Sequence, residues 1–299
     1  MVTLYVSALH SSPDSGDAVF DRNVLLHLRK VHPVQTLSLF PTAAIFATIY
    51  AAIKRVPPFA ARYSSDFNRR RLTHRLKNLN VERAILSHAF AAQFAAKVNI
   101  PKIIILHNLE SDIYRFDNSI IGRLTRRLCY KFEDSIFKQR ALFVVLSEYD
   151  RKLVLKRTSN QVNPNVMNPG MPNKYIPLSN GAKFFTEIVI TGTYGWRMKL
   201  RDLESFTNEW RRKNFSYPLF VGSHAMPLFK KAGISFKNII DYDCSARLGI
   251  GLITDRFLGG FKLKALEYIA MNCIVLTFSD IRKEFNGLPG ADRYIHYIK

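Results

Sequence analysis

The densest grouping of residues fit for chemistry lies between residues 248 and 278. There Gly259 and Gly260 precede Phe261, Lys262, Leu263 and Lys264, where the pattern passes from strand through turn to helix, and Glu267 follows Lys264 one helical turn later on the same face. Glycine lets a backbone approach a ligand closely, and the first N–H groups of a helix have no partner inside it. Those donors, the positive end of the helix dipole and the ammonium groups of Lys262 and Lys264 together suit an anion, a phosphate above all. A carboxylate at Glu267 is a poor phosphate ligand but a good acceptor for a ribose diol. The same residue types also suit an ordinary tight turn, so composition alone leaves both uses open.

Histidines supply a second set of candidates. His107 ends the run IIIL over residues 103–106 and is followed by Asn108 and Glu110; His88 ends AILS over 84–87 in the same way. A polar residue at the carboxyl end of a buried parallel strand points towards the crevice where ligands bind. His10 follows the first expected strand, beside the SPDSG segment that ends at Gly16. Locally hydrogen-bonded loop histidines are the plain alternative for all three. No histidine or cysteine pair has metal-ligand spacing, so no metal site is assigned. Lysine, arginine and backbone amides are expected to meet phosphate charge. Cys129, Cys244 and Cys273 lie far apart and read as reduced thiols of a cytosolic chain.

Such groups need a scaffold. Short apolar runs predict strands over 2–8, 34–39, 84–87, 102–106, 142–146 and 163–167, alternating with amphipathic helices over 19–31, 42–55, 90–98, 119–140 and 149–157. Continuous apolar strands are buried on both faces, which a parallel sheet covered by helices provides. The segment 168–181 is rich in proline and glycine and breaks the pattern, after which it restarts with strands over 187–191, 219–221, 238–240, 248–253 and 274–278 and helices over 199–212, 227–232 and 262–270. The reading is α/β: two Rossmann-like doubly wound domains, 1–170 and 185–299, joined by a linker over 171–184 and facing a cleft. In the helix over 119–140, Ile120, Leu124, Leu128, Phe132 and Ile136 are expected to form one buried stripe, with Arg123, Arg126, Arg127, Lys131 and Lys138 elsewhere. The basic run around Arg69, Arg70, Arg71 and Arg75 reads as a solvated loop and helix or as an interfacial patch, and Pro57, Pro58 and Tyr63 to Ser65 suggest mobility there.

Bulk properties bound the partners. The 299 residues are 47% hydrophobic and 22% charged, which supplies a real core and excludes a mostly disordered chain. A net charge of +21, spread over both halves, favours phosphate-bearing partners or an anionic membrane surface. No nucleic-acid reader motif accompanies the charge, so no nucleic acid is expected. The longest apolar stretch, residues 42–53, falls short of the roughly 20 residues a membrane span needs. No signal peptide is recognised, and the chain is expected in the cytoplasm, peripheral on the inner face of the membrane.

The stretch GGFKLKALEYIAMNCIV over 259–275 resembles the donor-site motif of GT-B-fold, family-4-like glycosyltransferases (glycosyl transferases group 1). VLSEYDR over 145–151, VMNPG over 166–170, ITGT over 190–193 and SPDSG over 12–16 are similar to further landmarks of that family, so the resemblance covers essentially the whole chain. It implies Glu267 on the nucleotide ribose, and Gly192, Thr193, Arg197, Gly259, Gly260, Phe261, Lys262 and Lys264 around the diphosphate. It places Gly16 and His107 on the acceptor side, where His88 joins them by its like placement after a strand, with His107 and Glu267 as the catalytic residues. The activity implied is retaining, metal-independent transfer of a sugar from a nucleotide-diphosphate sugar to a glycan or lipid-linked acceptor hydroxyl, in surface polysaccharide or glycolipid synthesis and with no cofactor. Three departures stand out: Gly259 where many relatives have glutamate, Thr193 where they have a basic residue, and a shortened C-terminus. A catalytically degenerate binding or scaffold protein on the same fold is the alternative they raise.

Overall fold

Strands that bury side chains on both faces need helices on both faces, and the chain is built that way twice. The computed structural model describes residues 2–8, 16–168, 187–194, 196–243, 248–257, 262–285, 288 and 290–298. These fall into two compact units, one ending at Asn168 and one running from Glu187. The expected linker over 171–184 lies outside the described residues.

The first unit runs β1 (Val2–Ser7), α1 (Gly16–Val31), β2 (Val34–Ser38), α2 (Ala44–Lys54), α3 (Pro58–Ala61), α4 (Asp66–Asn78), β3 (Val81–Ser87), α5 (Ala89–Ala92), β4 (Lys102–Leu106), α6 (Glu110–Ile113), α7 (Ile120–Phe137), β5 (Leu142–Val145), α8 (Glu148–Arg157) and β6 (Asn165–Val166). All its strands are parallel, in the order β2-β1-β3-β4-β5-β6. Leu4, Val6, Leu86, Ile104, Leu106 and Val145 join Ala60, Leu72, Phe132 and Ile136 in one core. Residues of the other parity, Tyr5, Ile85 and Ile105, are buried too, and α1 meets that face through Asp21 and Phe20. The chain leaves β1 towards β2 and then crosses to β3, so the topological switch point lies between the carboxyl ends of β1 and β3.

The second unit runs β7 (Ile188–Ile190), α9 (Arg197–Lys213), β8 (Leu219–Val221), α10 (Met226–Lys231), β9 (Lys237–Asn238), β10 (Gly249–Ile253), α11 (Leu263–Ala270), β11 (Cys273–Thr277), α12 (Ala291–Tyr294) and β12 (Ile295–Tyr297). Its parallel order β12-β11-β10-β7-β8-β9 puts the switch point between β7 and β10. Helix α11 is fixed there by Tyr268, whose hydroxyl donates to Leu252 O at 3.0 Å and accepts from Thr191 N at 2.9 Å. The ring lies so close to β10 that a Cβ at Gly251 would stand 2.3 Å from its Cγ.

Several segments depart from their sequence pattern. The expected helix over 90–98 is only α5 and a 3-10 turn, because Gln93 turns back and donates to Phe90 O and Ala60 O. The segment expected to be mobile is pinned: Ser64 donates to Ala60 O, and fully buried Asn68 donates to Phe40 O and Tyr63 O. The stripe expected on α7 is wrong at its start, since Ile120 is 70% and Leu124 55% exposed. Residues spaced by four drift about 40° per step around a helix, so such a line leaves the buried face. The buried side instead begins at Gly122, where a Cβ would collide with Asp117, and continues through Thr125, Cys129, Phe132 and Ile136. The strand expected over 238–240 is β9, and the chain turns into a 3-10 helix at Ile239. Cys129 and Cys273 are buried, and Cys244 lies outside the described residues.

Candidate functional site

In the first unit a polar cluster sits at the switch point. Helix α1 carries Asp17 and Asp21 one turn apart, on the side facing the ends of β1, β3 and β4. Tyr5 donates its hydroxyl to Asp21 Oδ1 at 2.6 Å, and Ser87 donates to the same oxygen at 2.5 Å. With its proton so placed, Ser87 Oγ accepts from His107 Nε2 at 2.9 Å. The His107 Nδ1 atom then lies 3.4 Å from Asp17 Oδ1. His88 stacks on His107 with ring centroids 3.5 Å apart, and its Nε2 is 3.7 Å from Asp21 Oδ2. The backbone of His88 has φ 76° and ψ 155°, a conformation that glycine favours and that costs a histidine about 1–3 kcal/mol. It is held from both sides: its N–H donates to Ile105 O, and its carbonyl accepts from Ala91 and Ala92.

The charges there are coupled. Burial disfavours a cationic His107, but Asp17 and Asp21 outweigh it and raise the imidazole to about 9. Both carboxylates are held below their usual range, burial being outweighed by the two histidines. Glu110, at the start of α6, is pushed up to about 8, first by burial and then by the charge of Glu133. At neutral pH the cluster therefore presents an imidazolium, two carboxylates and a protonated carboxyl, an array able to orient a hydroxyl and move a proton. Asp17, His88 and His107 also each offer one ligand atom, all within 4.8 Å of one another, so among the described residues this group could hold a metal ion. Its members come from three elements, which is why spacing along the chain did not show it.

In the second unit the loops after β7 and β10 meet the start of α11. Gly192 has φ 113°, which disfavours other residues, and a Cβ there would stand 2.2 Å from Lys264 Cε, so a side chain would displace the end of the lysine. The Lys264 ammonium lies 4.8 Å over the Tyr194 ring, buried and with no hydrogen-bond partner among the described residues. Burial lowers its pKa, against the attraction of Asp255. Glu267 is half-buried and raised by burial, with Lys264 and Lys199 pulling the other way. The structure thus brings Lys264, Glu267 and Gly192 together.

Lys262 is placed differently from the expectation. Its Nζ is 3.3 Å from Asp255 Oδ2 and 4.4 Å from the Phe257 ring centroid, and its N–H donates to Glu284. That charge is neutralised inside the protein, whereas the Lys264 ammonium has no hydrogen-bond partner among the described residues. Burial works against the Asp255 carboxylate, but Lys262, Lys199 and Lys264 hold it well below the usual range. Arg197 is exposed as the first residue of α9, and Lys199 is the α9 cation whose charge reaches Asp255 and Glu267. Thr193 is half-buried beside Gly192, and Gly16 opens α1. Gly259, Gly260, Phe261 and His10 lie outside the described residues. The VLSEYDR motif serves the fold: Ser147 caps α8 by accepting from Asp150 N, and Asp150 is buried.

Sequence reasoning missed Asp17, Asp21, Tyr5 and Ser87 in the first unit and Asp255 and Tyr194 in the second. Asp17 and Asp21 are four residues apart, but the helix expected over 19–31 begins after Asp17, so the sequence reading did not place them on one face. No family model matches the chain, and no curated protein matches it in sequence. In structure it is similar to sucrose-phosphate synthase from Thermosynechococcus elongatus, with a TM-score of 0.62 at 11% identity over 93% of this chain and 81% of that one. The fold is that of the GT-B glycosyltransferases. Further GT-B likenesses are the glycosyltransferase SnogD from Streptomyces nogalater (TM-score 0.43, 11% identity, 100% of this chain and 87% of that) and Arabidopsis thaliana UGT89C1, solved with UDP-L-rhamnose (0.48, 11%, 98% and 87%). In this GT-B chain both clusters sit at the switch points of their sheets, the position where open α/β sheets bind ligands.

Proposed function

We propose that the protein is a nucleotide-sugar-dependent glycosyltransferase. The observation that carries this reading is the Lys264 ammonium, buried without a hydrogen-bond partner among the described residues at the switch point of the second sheet. An unpaired buried cation is costly, and a diphosphate is the anion its place in this fold suits. The neighbouring Glu267 accepts from the ribose diol, and Lys199 adds positive charge. The departing diphosphate is stabilised electrostatically by groups already in position. In the first unit His107, with Asp17, Asp21 and Glu110 around it, orients the acceptor hydroxyl and handles its proton.

The transfer is retaining and metal-independent in this reading, and the acceptor is a glycan or lipid-linked hydroxyl used in surface polysaccharide or glycolipid synthesis at an anionic membrane surface. UDP- and GDP-sugars are the donors to try. Nucleotide release from a panel of UDP- and GDP-sugars, with and without a chelator, tests the proposal in wild type, Glu267→Ala and Lys264→Met. Wild-type turnover that both variants lose supports it. Turnover unchanged in folded variants removes the two residues from the mechanism, and nucleotide binding without turnover or transfer to any acceptor leaves a binding protein on a GT-B fold.

A further inference from the structure

Helix α2 reverses the usual division of a surface helix. Its buried side is alanine, with Ala47 and Ala51 packed against Ala61. Its large apolar residues face outward: Ile45 is 67%, Phe46 68%, Ile49 51% and Ile53 70% exposed. At about 100° per residue these four fall within one arc of about 100°, a continuous apolar stripe. A stripe of this kind on a protein surface marks an interaction site. Basic residues lie at one end and beside it. Lys54 and Arg55 close the C-terminal end of the helix, and Arg69 of α4, ion-paired with Asp66 at 3.0 Å, donates to the Tyr50 hydroxyl at 2.9 Å.

We infer that α2 lies flat in the surface of an anionic bilayer, with Ile45, Phe46, Ile49 and Ile53 among the acyl chains and Lys54, Arg55 and Arg69 at the headgroup phosphates. The helix of 11 residues is about 16 Å long, too short to span, and no helix of the described residues is long and apolar enough to cross a membrane. Charge selects lipid over a second copy of the chain. Two copies joined by this face would bring their basic rims together in a protein of net charge +21, whereas anionic headgroups neutralise the rim. The inference rests on the membrane-surface part of the proposed function and is independent of sugar transfer.

Flotation of the full chain with phosphatidylcholine vesicles, with and without about a third phosphatidylglycerol, tests it. Wild type is expected to partition into the anionic vesicles on the order of 100-fold more strongly than into neutral ones. The triple variant Ile45→Gln, Phe46→Gln, Ile49→Gln is expected to lose at least about tenfold of that binding with an unchanged melting temperature, since all three side chains already face outward. Phe46→Ser alone serves if the triple variant does not fold. A variant that floats like wild type overturns the inference, as does wild type that stays in the aqueous phase or that forms dimers abolished by the substitutions. Nucleotide release assayed without vesicles on the same preparations separates the two readings: its absence counts against the transferase alone.

Discussion

Lys262 and Asp255 form a buried ion pair, Nζ to Oδ2 3.3 Å, while Lys264 two residues later has no such partner among the described residues. In the proposed function these two lysines of one motif do opposite work, the first for structure and the second for a ligand. Lys262→Met leaves Asp255 buried and unpaired and is expected to lose about 3–5 kcal/mol in urea denaturation. Lys264→Met removes a buried cation with no hydrogen-bond partner among the described residues and is expected to lose far less stability than Lys262→Met, while nucleoside-diphosphate affinity measured by calorimetry falls about 10–100-fold. Equal destabilisation by both substitutions would sink this division of labour.

The His107 imidazole, raised to about 9 against an unperturbed value of about 6.5, gives a signed pH dependence. Its pairing with Asp17 and Asp21 stabilises the fold fully below about 6.5, and that contribution is lost as pH rises through about 9. Thermal melts of wild type are therefore expected to decline across this window, and those of His107→Asn to decline less. Titration of the His107 ring by NMR checks the value directly; an unshifted midpoint contradicts the pairing.

Glu110 gives the opposite test on a carboxyl group. Its value of about 8, raised by burial from an ordinary 4.5, means that the folded chain holds this proton longer than the unfolded one. The stabilising effect is present below about 4.5 and disappears as pH rises through about 8. Glu110→Gln keeps the neutral form, so its melting temperature should exceed that of wild type at pH above 8 and converge with it in mild acid. A gap that does not widen with pH counts against a protonated Glu110.

Gly192 sets the path of the Lys264 stem. At φ 113°, with a Cβ falling 2.2 Å from Lys264 Cε, Gly192→Ala is expected to cost about 1–3 kcal/mol and to displace the ammonium, weakening nucleotide binding as well. Thr193→Ala, one residue on and without that contact, serves as the control. Calorimetry and melting of the two variants decide it, and a Gly192→Ala protein that binds normally shows that Lys264 is not the diphosphate ligand.

Much of this protein could be read along the chain. Continuous apolar runs such as IIIL at 103–106 determined buried parallel strands, and their alternation with amphipathic helices determined two doubly wound units. The spacing of Lys264 and Glu267, and the placement of His88 and His107 after strands, were likewise legible, because each depends on one local element. Tertiary structure decided the rest. Which lysine is neutralised depends on Asp255, which a separate strand end delivers, and the setting of His107 depends on α1, whose Asp17 and Asp21 are distant in sequence. The outward stripe of α2 was equally hidden: periodicity shows that a helix has an apolar side, but only the alanines packed below it show that this side faces away from the core.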